Sequence, residues 1–216
     1  MHRSRRWAVL ATAGLAVLVA STTWAGVPTD QVKASVDQVL KILRDPKLKS
    51  EAMQRERRLE IRQAADNIFD FRETAKRALG RHWRGLSKND QLEFVPLFAE
   101  LLQRAYLSKI ERYSGENIGY VGESVDPGGE YAVVRTIFTT RKGVEVPIDY
   151  HLLRNDDRWL VYDVFVESVS LVANYRAQFD QIIATSSYRE LVRRMKAGNG
   201  IPAPGGATRQ GRAPRS

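Results

Sequence analysis

The 216-residue chain has no cysteine. That excludes disulfides, thiolate metal ligands and a lipid-modified N-terminal cysteine, and it leaves stability to the hydrophobic core, which a domain of this size can supply. Histidine is nearly as scarce, with three in all: His2, His82 and His151. No HExxH, GxSxG, phosphate loop or clustered zinc ligands occur, so zinc-protease, serine-hydrolase and nucleotide-cleaving chemistries have no foothold. Nor is there a concentrated basic face. The formal charge is +9, but six of those charges are arginines at the two extremities (Arg3, Arg5, Arg6; Arg209, Arg212, Arg215), which leaves +3 for the part between. A fold so mildly basic offers little to nucleic acid.

What is present begins with three arginines, an apolar run from Trp7 to Ala20 and small residues ending at Thr23-Trp24-Ala25. This is the three-part pattern of a cleavable export signal over residues 1–25, because the apolar run is shorter than the ~20 residues of a membrane span. Arg5-Arg6 touches on a twin-arginine signal, and the sequence does not separate that route from the general one. From Gly198 the chain reads GNGIPAPGGATRQGRAPRS, with almost nothing to bury, and residues 198–216 are expected to form a disordered Gly/Pro/Arg tail. One domain is expected over residues 26–197.

Within it, Val32, Val36, Val39 and Leu43 stripe a first helix that ends near Asp45-Pro46. A charged second helix spans Glu51 to Asp66, and a third starts near Asp70 and closes at Gly80. Ser87 and Asp90 open the longest helix, apolar at Phe94, Leu97, Phe98, Leu101, Leu102, Ala105, Tyr106 and Ile110, with Pro96 inside it to kink the axis. Four strand candidates follow: Ile118 to Val125, Tyr131 to Arg141, Glu145 to Arg154 and Trp159 to Glu167, separated by short turns that make a meander. Along the third, Val146, Ile148, Tyr150 and Leu152 alternate with Pro147, Asp149, His151 and Leu153. Two helices close the domain, Val169 to Thr185 and Tyr188 to Ala197, the second behind a Ser187/Glu190 capping box. The expected class is α+β: a twisted four-stranded antiparallel meander covered by several helices.

Few residues carry chemistry. Asp163 and Glu167 lie on one strand and could form an acid/base pair, but they are better read as partners of backbone groups or of a cation such as Arg176 where strand meets helix. His82 and His151 read as ordinary surface residues. Asn155-Asp156-Asp157 is too short for a calcium loop and reads as a hairpin turn. No enzyme, metal or cofactor is expected. The run WLVYDVFVESVSLVANYRAQF, Trp159 to Phe179, is apolar throughout although it changes from strand to helix near Ser168. A packed core and an apolar chamber explain it equally well.

That run resembles the W-x-V-Y-D-V-x-V-E-G-V-S-L-V-x-N-Y-R-x-Q-F block of the MlaC, or toluene-tolerance auxiliary, family, and Leu79 to Glu116 resembles the same family's L-G-R-x-W to Y-S-G block. Ser168 stands where the family pattern has Gly, and Ser187-Tyr188 replaces a Gly-rich entry to the last helix. The resemblance implies a soluble, monomeric periplasmic carrier with an apolar cavity between sheet and helices, holding phospholipid acyl tails as its ligand. Its implied partners are an outer-membrane lipoprotein complex and an inner-membrane ABC transporter with a lipid-binding, membrane-anchored subunit. The cavity wall is then assigned to Phe94, Leu97, Phe98, Leu101, Val146, Ile148, Tyr150, Leu152, Val164, Val166, Val172, Tyr175 and Phe179. Basic residues from Arg44 to Arg84 are expected to form a solvated surface, with some steering docking to head groups or partners. The rival readings are a hopanoid carrier of the same family, a cone-shaped α+β enzyme using Asp163, and a packed adaptor with no ligand.

Overall fold

The computed structural model describes residues 27–198 and 200–203. The expected export signal lies outside the described residues, as does most of the expected tail. Six helices and one sheet follow in the order α1 (Val27–Arg44), α2 (Gln54–Ile68), α3 (Phe71–Leu79), α4 (Lys88–Ile110), β1 (Asn117–Val125), β2 (Tyr131–Thr139), β3 (Glu145–Asn155), β4 (Arg158–Val166), β5 (Val169–Ser170), α5 (Leu171–Thr185) and α6 (Tyr188–Ala197). The sheet is antiparallel with strand order β1-β2-β3-β4-β5, and β1 and β5 at its edges, so it does not close. No described helix is long and apolar enough to cross a membrane.

Helices α3, α4, α5 and α6 start where the sequence offers a side-chain acceptor for an otherwise unpaired N–H, whereas α2 begins without one. The backbone N–H of Glu73 donates to Asp70 Oδ1 at 2.8 Å. Asp90 donates to Ser87 Oγ at 3.1 Å, Ala173 to Ser170 Oγ at 2.8 Å and Glu190 to Ser187 Oγ at 3.1 Å. Helix α3 stops at Gly80, whose φ of 53° places it in the left-handed region, and a side chain there would press on Arg176 Cδ at 3.2 Å. Pro96 sits inside one continuous α4.

Several boundaries differ from the sequence expectation, and the second strand ends at Thr139 rather than Arg141. Glu51–Met53 forms a separate single 3-10 turn, and α2 then runs on to Ile68. The strand expected to end at Glu167 ends at Val166, because Glu167 and Ser168 both take positive φ (50° and 65°) and turn the chain back on itself. The next two residues pair with β4, Phe165 opposite Ser170 and Val166 opposite Val169, so the sheet has five strands rather than four and the fifth helix starts at Leu171. Two successive positive φ values are the mark of a tight hairpin turn that favours Asn-Gly.

Asp163 fastens this junction. Its side chain is 7% exposed, and it accepts from the backbone N–H groups of Val164 at 2.8 Å and Val172 at 3.1 Å and from the Ser170 hydroxyl at 2.5 Å. The expectation that Asp163 serves backbone groups holds. Arg176 is not its partner: that guanidinium donates to the Arg77 carbonyl at 2.9 Å.

Buried apolar residues gather in three clusters. One lies among α3, α4, α5 and α6, around Phe94, Phe98, Tyr175 and Phe179. A second joins α1 and the end of α2 to the sheet, through Val32, Ile68, Val134, Leu152, Trp159 and Val161. The third ties α1 and α2 to the end of α4, through Ile42, Leu43, Leu48, Ile61, Ala64 and Leu107. There Glu111 accepts from Arg57 at 3.3 Å and from Arg58 at 3.1 Å, and these guanidinium groups hold its carboxyl below the ordinary range.

Candidate functional site

Directly paired residues of an antiparallel sheet project to the same face, so the register arranges the helix-facing side of this sheet as four rungs. The first is Ile118-Phe138-Val146, the second Tyr120-Thr136-Ile148-Val166, the third Glu123-Val134-Tyr150-Val164 and the fourth Val125-Ala132-Leu152-Val161. Burial differs between the two ends of this series, although Thr136 on the second rung is buried and Val125 on the fourth is half-buried. On the fourth rung Ala132, Leu152 and Val161 are at most 3% exposed, whereas on the first Ile118, Phe138 and Val146 are all only half-buried, as are Ile148 and Val166 on the second. One end of the apolar face is therefore sealed and the other is left open.

The sealed end has identifiable fasteners. Glu123 Oε2 accepts from the backbone N–H and the hydroxyl of Thr29 at 2.8 and 2.6 Å. Gln31 Oε1 accepts from the Trp159 N–H at 2.8 Å, and Phe69 bridges Val161. These contacts pin α1 and the α2–α3 junction over the third and fourth rungs.

The thirteen residues assigned from sequence fall on two walls. Phe94, Leu97, Phe98, Leu101, Val172, Tyr175 and Phe179 all belong to the helical cluster or pack on it. Its centre is aromatic, with Phe98 ring centroids 5.9 Å from Phe94, 5.3 Å from Tyr175 and 5.4 Å from Phe179. The other six lie on the helix-facing side of the sheet: Leu152 at the sealed end, Tyr150 and Val164 midway, and Val146, Ile148 and Val166 at the open end. Ile118, Tyr120 and Phe138 share those rungs and were missed, although Val134, Thr136 and Phe138 alternate along β2 as plainly as the chosen residues do along β3.

The interior also holds phenols. The hydroxyls of Tyr106, Tyr120 and Tyr175 are buried; Tyr106 and Tyr175 meet only each other, short of good hydrogen-bond geometry, and Tyr120 has no partner. Tyr106 on α4 and Tyr175 on α5 face one another, and Tyr120 on β1 lies within electrostatic reach of Tyr150 and Asp37. Burial pushes Tyr106 and Tyr150 up to about 12, and Tyr120 and Tyr175 up as well, so all four are neutral donors at physiological pH.

Along α1 a groove of about 460 Å³ is lined by Asp37, Leu40, Lys41, Arg44 and Asp45. Arg44 donates to the Tyr113 hydroxyl at 2.8 Å. Several basic residues of the stretch after it are engaged in ion pairs: Arg57 and Arg58 with Glu111, Lys76 and Arg77 with Glu73, and Arg81 with Asp180. Neither histidine is an ordinary surface residue. His82 lies 2.7 Å from Asp180, and His151 is half-buried, stacked 4.2 Å from Phe165, where burial pushes its pKa down. Asp156, with φ of 52°, turns the β3–β4 hairpin as expected. Among the described residues no group of His, Asp or Glu is placed to hold a metal ion.

Sheet and helices together define an α+β protein whose apolar sheet face is closely covered at one end and only partly at the other. Comparison with known proteins gives that architecture a family: the model described as "MlaC protein" matches residues 33–197, and the chain belongs to the MlaC family. Among solved structures it is similar to the phospholipid-binding protein from Ralstonia solanacearum in complex with a phospholipid, with 26% identity and a TM-score of 0.70 over 78% of this chain and 94% of the other. No curated protein matches the chain significantly.

Proposed function

We propose that this protein is an exported carrier that holds the acyl chains of a phospholipid between the open rungs of the sheet and the helical wall. In this reading it conveys the lipid across the periplasm between an outer-membrane lipoprotein complex and an inner-membrane ABC transporter. The observation that carries the reading is the row of half-buried apolar residues on an otherwise covered sheet face, in a chain whose structural relative is described with a phospholipid bound. Exposing acyl chains to water costs about 0.8 kcal/mol per methylene, on the order of 20 kcal/mol for two long chains. A carrier must hide that surface and still release it, which favours a pocket with one sealed and one open end over a closed core. The Asp163 contacts also support a carrier over an enzyme, because both carboxylate oxygens are occupied in holding β4 to α5.

Native mass spectrometry of the mature protein from a bacterial periplasm, followed by lipid extraction, tests this. Near-stoichiometric phospholipid is expected, and Val146→Trp, which fills the open end, is expected to fold normally and lose the lipid. Hopanoid in place of phospholipid would overturn the assigned cargo. A native protein that carries no lipid and refuses added lipid would overturn the carrier function.

A further inference from the structure

Three buried phenols are left short of acceptors: Tyr106 and Tyr175 have only each other, and Tyr120 has none. The helical cluster uses Phe94, Phe98 and Phe179 beside Tyr175, yet Tyr106 and Tyr175 each bring a hydroxyl into the apolar interior, and Tyr120 brings a third from the second rung of the sheet. A buried polar group left unpaired costs roughly 1–3 kcal/mol, and native interiors hold few of them. Were Tyr106 and Tyr175 to share one hydrogen bond, one O–H of the pair would still have no acceptor. Tyr106 is only half-buried and packs at the margin of its cluster, and Tyr120 does the same on the sheet side, so both can meet a guest lying between the clusters.

The chemistry of such a guest is constrained. It must be apolar enough for walls of Leu, Val and Phe, and it must carry acceptors for the O–H donors, uncharged ones because burying a charge among apolar side chains is costly. A pure hydrocarbon fails the second condition. The ester carbonyls at the head of acyl chains meet both. We propose that the hydroxyls of Tyr106 and Tyr175, together with that of Tyr120, donate to the ester carbonyl oxygens of a diacyl lipid, so that the protein selects ester-linked lipids over ether-linked or purely hydrocarbon ligands. This rests on the carrier reading and adds to it the group that is recognised.

The test compares two probes with the same head group and chain length, dipalmitoyl-phosphatidylethanolamine and its dihexadecyl diether analogue, binding to delipidated protein. Ether oxygens are poorer acceptors, and the native protein is expected to favour the diester about tenfold. Tyr106→Phe and Tyr175→Phe are expected to bring the ratio toward one, while the thermal midpoint of the lipid-free protein stays the same or rises, because an unsatisfied group is removed. Equal affinity of the native protein for both probes overturns the inference and leaves the carrier reading standing. A native ratio that persists unchanged in both variants overturns it too. Binding of neither probe overturns the carrier reading itself.

Discussion

Phe98→Ala separates packing from ligand lining on the helical wall. Phe98 is fully buried and its ring contacts Phe94, Tyr175 and Phe179 at centroid distances of 5.3 to 5.9 Å, two of them edge-on. Truncating a phenylalanine in such a setting removes its transfer free energy and leaves a cavity, for a loss of about 3–5 kcal/mol. Total stability is on the order of 5–15 kcal/mol, so the variant should fold while most of its margin is gone. With a urea dependence of about 2 kcal/mol per molar, the midpoint should fall by roughly 1.5–2.5 M with unchanged slope. Val146→Ala at the open end removes a half-buried side chain that the lipid-free protein packs loosely, and should cost about 1 kcal/mol or less. Both numbers must come from delipidated protein, because bound ligand adds stability of its own. A Phe98→Ala midpoint within about 0.5 M of the native value, at equal slope, would refute the assignment of this residue to the packed core.

Ser168→Gly should stabilise the protein by about 1 kcal/mol, since a non-glycine residue at φ 65° carries a steric cost that glycine does not; the thermal midpoint should rise by about 2–4 °C. Asp163→Ala should destabilise by roughly 2–4 kcal/mol, as it strands the Val172 N–H inside the protein, and Asp163→Asn, which keeps an acceptor, should cost less and leave lipid binding intact in the extraction assay. Glu111 has a folded-state pKa below its unfolded value, so its pairing contributes stability above the unfolded pKa and loses it as pH falls through the folded one; Glu111→Gln should flatten the acid limb of a pH–midpoint curve below about pH 4.5.

Where local chemistry decides the structure, the sequence was legible. The Ser87, Ser187 and Asp70 helix starts, the Gly80 stop and the meander all follow from capping residues, left-handed turns and period-two alternation, and they sit where they were expected. The strand-to-helix boundary was misplaced because Glu167-Ser168 is a poor turn dipeptide by composition; the conformation is imposed by the pairing of Val169–Ser170 with β4 and by the Asp163 contacts, which are tertiary. The thirteen residues assigned to the cavity wall lie in the helical cluster or on the helix-facing side of the sheet, but alternation and helical spacing say only which side is apolar. They do not say how much of it a second layer covers. That depends on where α1 is fastened, and Thr29–Glu123 and Gln31–Trp159 are contacts between residues about a hundred positions apart.

Those fasteners also give the opening question of core versus chamber a physical form. If the Trp159 to Phe179 run lined only a packed core, burial would be uniform along it. Instead it starts at the sealed end, with Trp159 and Val161 at 1% exposure, passes half-buried Val164 and Val166 beside the open rungs, and re-enters a packed cluster at Val172, Tyr175 and Phe179. A single chain segment thus joins both clusters by way of the uncovered stretch between them, and Asp163 with the tight turn after it holds that path in shape. Half-buried apolar side chains between two rigid attachments keep a part of their contact with water, and a guest that covers the remainder gains roughly 25 cal/mol per Å² of it. On the proposed reading, that remaining apolar surface is what a lipid tail would cover.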